Sequence, residues 1–127
     1  MATGTVPVAQ NKKATVFSLS AGSTAVTYFS GYGIYDPNTS TVRIYFVARN
    51  TNSSGTTTFG TTTALTTIPE AYRPSANKYL YATIFTYANS TVSVAGNYFC
   101  TVGTDGKVVQ NLTNSGREVF AVGEYVI

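Results

Sequence analysis

The chain has 127 residues, of which only 8 are Lys or Arg and 5 Asp or Glu, while 17 are Tyr or Phe and 43% are apolar. Low charge with abundant aromatic side chains excludes intrinsic disorder, and the length allows one domain that buries roughly two-thirds of the surface its unfolded chain would expose. The net charge of +3 is spread along the sequence, with Lys12-Lys13 as the one adjacent pair, so it lacks the clustered cations of a nucleic-acid groove.

Thr, Ser and Asn together supply 42 residues, so surface polarity comes from hydroxyls and amides. Val, Ile and Thr number 41 against 18 for Leu, Met, Glu, Gln, Lys and Arg. Side chains stiff at χ1 suit pleated strands, so the expected fold is all-β: an antiparallel β-sandwich or small barrel of about 8–10 strands. Apolar runs fall well short of the ~18 residues of a membrane helix, and no membrane insertion is expected. Met1 to Val6 has neither a basic nor an apolar signal-peptide region, so the chain reads as made in a cytoplasm, or as cut from something longer.

In chain order, residues 1–14 read as a polar lead-in and residues 15–127 as a single β domain. Gly31 to Asp36 reads as a turn region, with Tyr28, Tyr32 and Tyr35 at or beside it, where loops tend to carry function. Asp36-Pro37-Asn38-Thr39 has the Asp and Pro of a type I turn. The clearest strand is Thr41 to Arg49, where Val42, Ile44, Phe46 and Ala48 alternate with Arg43, Tyr45, Val47 and Arg49. Arg43 and Arg49 then share an outer face with Tyr45 between them, about 20 Å apart at ~3.3 Å per residue. They line an extended groove, cross an interface, or form a solvated face.

Thr56 to Thr67 holds 8 Thr in 12 positions and reads as a linker or, the expectation adopted, a strand with a hydroxyl-covered face. In Lys78 to Ala88, Tyr79, Tyr81, Phe85 and Tyr87 occupy one face and Leu80, Ala82, Ile84 and Ala88 the other. A strand apolar on both sides implies a place between layers or a face buried against another subunit. Cys100 lies in an apolar run and is expected to be a small buried hydrophobe. Asp105-Gly106 suits a two-residue primed hairpin, and Glu118 to Ile127 a final paired strand. Further breaks are expected at Ala21-Gly22-Ser23, Asn50 to Gly55, Ala88-Asn89-Ser90, Gly96-Asn97 and Asn114-Ser115-Gly116.

Residue types suited to catalysis are scarce. The chain contains no histidine, which removes the commonest general base and metal ligand. Its five acids (Asp36, Glu70, Asp105, Glu118, Glu124) include two explained as turn residues, and a glycosidase needs a pair about 5–9.5 Å apart. No metal, cofactor or catalytic residue is expected. Asn-x-Ser/Thr occurs at Asn38, Asn52, Asn89 and Asn111, against roughly two matches by chance, and carries no glycosylation inference. What remains suits neutral, hydroxylated ligands, because tyrosine pairs a flat apolar face with a hydroxyl. Tyr32, Tyr35, Arg43, Tyr45 and Arg49 are the candidate ligand-binding residues, although most of the ten tyrosines are expected to pack a core or interface.

The segment Thr67-Ile68-Pro69-Glu70-Ala71-Tyr72-Arg73-Pro74-Ser75 resembles the leucine/isoleucine-Pro-x-Gly-Phe/Tyr-Arg-Pro-Ser segment found in the C-terminal head domains of phage tail receptor-binding proteins and tail fibres. The likeness extends in order over about Ala25 to Ile127, taking in the Asp36 turn, the Thr41 strand, Lys78 to Ala88, and Gly103-Thr104-Asp105-Gly106-Lys107-Val108. Ala71 stands where the family usually has Gly, and the chain has no Trp. The resemblance implies a β head domain of a homotrimer that attaches a virion to host cell-surface saccharide, made in the host cytoplasm and carried on a tail or head fibre beside other virion proteins. Within the motif, Pro69, Tyr72, Arg73 and Pro74 are expected to serve structure, with Arg73 reaching backbone carbonyls or Glu70. The expectation is a non-enzymatic adhesin. The alternatives are a structural decoration, head-fibre or connector protein with protein contacts alone, and, less favoured, a polysaccharide-cleaving enzyme.

Overall fold

The computed structural model describes residues 12–51, 59–88, 91–111 and 118–127, with backbone alone at 86–88 and 91–97. They form β1 (Thr15–Ser18), β2 (Tyr28–Asp36), β3 (Thr41–Arg49), β4 (Thr66–Thr67), β5 (Lys78–Ala88), β6 (Thr91–Val102), β7 (Lys107–Gln110) and β8 (Glu118–Val126), with one 3-10 turn at Glu70–Tyr72. All pairings are antiparallel, in one curled eight-stranded sheet ordered β1-β2-β3-β8-β5-β6-β7-β4, a half-barrel. The all-β expectation holds, on the side of a barrel rather than two stacked sheets. The C-terminal strand is paired on both sides, between β3 and β5.

The pleat decides which residues are inside. Val42, Ile44, Phe46 and Ala48 of β3 are buried, as are Leu80, Ala82 and Ile84 of β5 and Val119, Ala121 and Tyr125 of β8. Each large aliphatic or aromatic side chain withdrawn from water in this way contributes about 1.5–3 kcal/mol. The middle of β8 is small on this face, and Gly123 has no side chain because Leu80 fills its place: a Cβ there would lie 2.8 Å from Leu80 Cδ2. Cys100 is fully buried, as expected, and burial pushes its thiol up to about 12. Tyr125 is also raised by burial, while its hydroxyl donates to the Tyr72 carbonyl at 2.6 Å.

The curl is tied where its edges meet. Ala21 bridges Thr66 of β4, Gly22 N–H donates to Leu65 O at 3.0 Å, and Thr66 Oγ1 donates to Ser20 O at 2.7 Å. Each edge thereby covers backbone groups that the other would leave open. At the opposite end, the Asn38 side-chain amide accepts from Lys12 N–H at 3.0 Å and donates to Lys12 O at 2.8 Å, holding the lead-in against the β2–β3 turn. Asp36 Oδ1 accepts from the Asn38 backbone N–H at 2.9 Å, which stabilises that reversal as expected.

Several sequence expectations need correction. Gly31 to Asp36 is strand, not turn: Gly31 and Gly33 sit in β2 because Phe46 and the Phe17 ring occupy the space their side chains would need. Among its described residues, 59–67, the Thr-rich tract is strand only at Thr66–Thr67. In its described part, Gly60–Thr63 closes a turn through Thr63 N–H to Gly60 O at 3.2 Å, and the flanking Phe59 and Leu65 plug the core. Thr56–Thr58 lie outside the described residues, as do most of 1–14, Asn52 to Gly55, Asn89-Ser90 and Asn114 to Gly116. Gly96-Asn97 lies inside β6, where the register slips opposite Ile84/Phe85, so Gly96 marks a bulge rather than a reversal. The Asp105-Gly106 loop has three residues, not two. Gly106 N–H donates to Gly103 O, Gly103 N–H donates to Lys107 O, and Gly106 takes the left-handed φ of +84°, a type I turn followed by a bulge.

Two stability outcomes are expected. At Gly22 a Cβ would lie 2.8–2.9 Å from backbone atoms of Ala64 and Thr66, so Gly22→Ala forces the tied edges apart. It should lower stability by ~1–3 kcal/mol, read as a lower urea midpoint at unchanged slope. Because Cys100 and Tyr125 hold their protons more tightly folded than unfolded, unfolding is favoured once the unfolded groups ionise, from pH about 9 upward. Stability should fall between pH about 9 and 12, and Cys100→Ala should move the onset upward in a thermal melt series.

Candidate binding face

The outer face of the sheet is set by the same pleat. In β3 it carries Arg43, Tyr45, Val47 and Arg49; in β8, Glu118, Phe120, Val122 and Glu124; in β5, Tyr79, Tyr81, Thr83 and Phe85. Register then aligns one position from each of five strands. Tyr32 pairs with Tyr45, Tyr45 with Val122, Val122 with Tyr81, and Tyr81 with Phe99. The result is an in-register row crossing β2, β3, β8, β5 and β6, about 19 Å along the sheet at ~4.8 Å per strand. Tyr32 and Tyr45 stack at 5.2 Å, and Phe99 meets Tyr79 edge-on at 5.2 Å. Tyr81 is 82% exposed and Tyr79 64%. The second apolar face of β5 is therefore open in the single chain, and nothing within the described residues covers it.

Ion pairs stand on either side of the row. Arg43 lies opposite Glu124 in the β3–β8 register and donates its Nε–H to Glu124 Oε2 at 2.9 Å. Arg49, opposite Glu118, donates to Oε1 at 2.7 Å, with its guanidinium 5.0 Å from the Tyr28 ring. The first pair is exposed, with both side chains at 59%, whereas Glu118 is nearly buried. Glu124, through that hydrogen bond and then its charge, raises Arg43 above its ordinary value, and Tyr45 and Asp36 add smaller electrostatic contributions. The pairing of β5 with β8 stops at Tyr81↔Val122. Past that point is a depression lined by Arg43, Tyr45, Tyr79, Tyr81, Val122, Gly123 and Glu124. A neighbouring depression that shares Tyr79 and Tyr81 is lined also by Leu80 and Phe99. Across the ion pair lies a second cleft, lined by Ile34, Asp36 and Thr41 among others.

Four of the five residues singled out from sequence, Tyr32, Arg43, Tyr45 and Arg49, share this face. Tyr35 does not. It pairs with Val42 on the opposite side of the sheet, packs against the core, and meets the Tyr72 ring at 5.4 Å. The sequence reading missed Tyr79, Tyr81, Phe99, Val122 and Glu124 as site residues. The alternation Glu118-Phe120-Val122-Glu124 was a usable signal, but pairing it with β3 needed the fold.

The Pro-Arg motif lies elsewhere and acts as structure. Pro69 and Arg73, flanking the 3-10 turn, are both extended, with ψ of 146° and 142°. Tyr72 stacks on Phe17 at 4.2 Å. Arg73 Nε–H donates to Ile68 O at 2.8 Å, a backbone carbonyl rather than Glu70, and its side chain packs where a Gly106 Cβ would stand. Ile68 N–H in turn donates to Gly106 O. Ala71 fits because no residue of that turn needs a left-handed φ.

Chemically the face offers aromatic surface, guanidinium donors and carboxylate acceptors. Both acids of the clefts are engaged: Asp36 with Asn38, Glu124 with Arg43. Glu118 and Glu124 are six residues apart on one strand, about 20 Å, beyond the spacing of a hydrolytic pair. The described residues hold no cluster of three or more His, Cys, Asp or Glu side chains placed for a metal. Comparison with protein-family models and with curated proteins finds no match to this chain. Arg73→Ala should cost ~1–3 kcal/mol by stranding the Ile68 carbonyl and emptying the space over Gly106. An unchanged denaturation midpoint would count against this structural role.

Proposed function

We propose that this protein is a non-enzymatic phage virion adhesin, a homotrimeric fibre head whose outer sheet face binds saccharide on the host cell surface. The observation that carries the reading is the in-register aromatic row running alongside the exposed Arg43–Glu124 pair. Tyrosine faces suit the C–H surfaces of sugar rings. The amino groups of Arg43 and the second oxygen of Glu124 give donors and acceptors to ring hydroxyls. The resemblance of Thr67 to Ser75 to the phage head motif supports the setting: synthesis in the host cytoplasm, then incorporation on a tail or head fibre. Exposed Val16, Val126 and Ile127 near the β2–β3 turn provide apolar surface for contacts between copies.

A second reading, a virion decoration or connector with protein contacts alone, draws on the same exposed apolar surface, because Phe99 and Phe120 are also about half exposed. Adsorption separates the two. Phage lacking the protein should fail to adsorb if it is an adhesin, and should adsorb normally but lose infectivity if it is a connector. In solution the protein should have three times the 13.5 kDa chain mass. A strict monomer at tens of micromolar would overturn the assembly. On a glycan array it should retain saccharide without releasing reducing ends, and turnover would instead favour an enzyme.

A further inference from the structure

We infer that the saccharide bound on this face is uncharged and lies across the strands, along the row from Tyr32 to Phe99. This deepens the adhesin reading and rests on it.

Charge is the first argument. The outer faces of β2, β3, β8 and β5 present Arg43 and Arg49 against Asp36, Glu118 and Glu124. Each arginine already donates its Nε–H to a glutamate held opposite by strand register. Asp36 lies close enough to Arg43 to act on it electrostatically. A carboxylate, phosphate or sulfate entering beside Arg43 must either displace Glu124 or share the depression with its carboxylate, while Asp36 adds repulsion from the cleft across the ion pair, and like charges at that range repel. A pair of neighbouring hydroxyls meets no such barrier. It accepts from the Arg43 amino groups and donates to the free Glu124 oxygen.

Direction is the second argument. Along β3 or β8 the outer face alternates from charged to apolar and back within six residues, so a sugar chain parallel to the strands would cross both ion pairs. Perpendicular to them, Tyr45, Val122, Tyr81 and Phe99 give a continuous apolar track with the Arg43–Glu124 pair alongside it. Its length of about 19 Å accommodates several sugar units, not one.

The test uses the full chain on an array that carries neutral glucan and mannan fragments of increasing length beside sialylated, uronate-containing and phosphorylated glycans. Tyr81→Ala, Phe99→Ala and Glu124→Gln are compared with the parent after thermal melts establish that each folds. Neutral fragments should bind, more tightly with length up to a plateau. Tyr81→Ala, inside the row and lining the depression beside Arg43 and Glu124, should weaken every length about tenfold. Phe99→Ala, at its end, should weaken the long fragments and leave the shortest unchanged. Glu124→Gln should admit anionic glycans that the parent rejects. If the parent prefers anionic glycans, or the Phe99→Ala deficit is the same at every length, this inference falls and the adhesin reading stands. If no glycan is retained, the adhesin reading falls and this inference with it.

Discussion

Strand β8 occupies the middle of the sheet, paired to β3 along its whole length and to β5 along half of it, and nearly every other feature depends on that register. It places Ala121 and Gly123 inward, where the missing side chain of Gly123 leaves room for Leu80, and places Glu118 and Glu124 outward, opposite the two arginines of β3. A slip of one residue would invert both faces, burying two glutamates and exposing Val119 and Tyr125. The ion pairs thus act as register marks as well as surface chemistry. An alternative pairing would leave arginine facing valine or phenylalanine. The exposed Arg43–Glu124 pair contributes little to stability by itself, so its value lies in discriminating between registers.

A second constraint sits at the opposite side of the core. The Pro69-to-Pro74 segment and the Gly103-to-Lys107 loop lie far apart in sequence, yet the structure joins them: Arg73 crosses above Gly106, and Ile68 exchanges backbone contact with it. Gly106 is required twice, by its left-handed φ and by the guanidinium above it. Two of the sequence features named for the resemblance, the Pro-Arg motif and the Gly103-to-Lys107 loop, are therefore two halves of one packing unit.

Much of the fold was legible because it rests on local rules. The alternation of Thr41 to Arg49 identified its buried and exposed sets, and Asp36-Pro37 marked a reversal that the structure retains. Several of the differences come from glycine, which by residue type signals a break but which this sheet also uses inside strands. Gly31 and Gly33 make room for Phe46 and Phe17 within a strand, and Gly96 sits at a bulge. Reading Gly31 to Asp36 as a turn also obscured the parity of Tyr32 and Tyr35, which three residues of strand place on opposite faces. The aromatic row was not legible, because it joins residues from Tyr32 to Val122 through pairings that only the sheet order determines.

The clamp between Asn38 and Lys12 bears on how the sheet takes a load. Its two hydrogen bonds join one side-chain amide to both polar groups of a single backbone residue, adding a rung beyond the Thr15↔Tyr35 end of the β1–β2 ladder. Tension arriving from the N-terminal side meets this rung before it reaches β1. Because both bonds are strained together, they share the force instead of parting in turn. The tip of the β2–β3 hairpin is thus a mechanical anchor, and it sits on the sheet that carries the aromatic row.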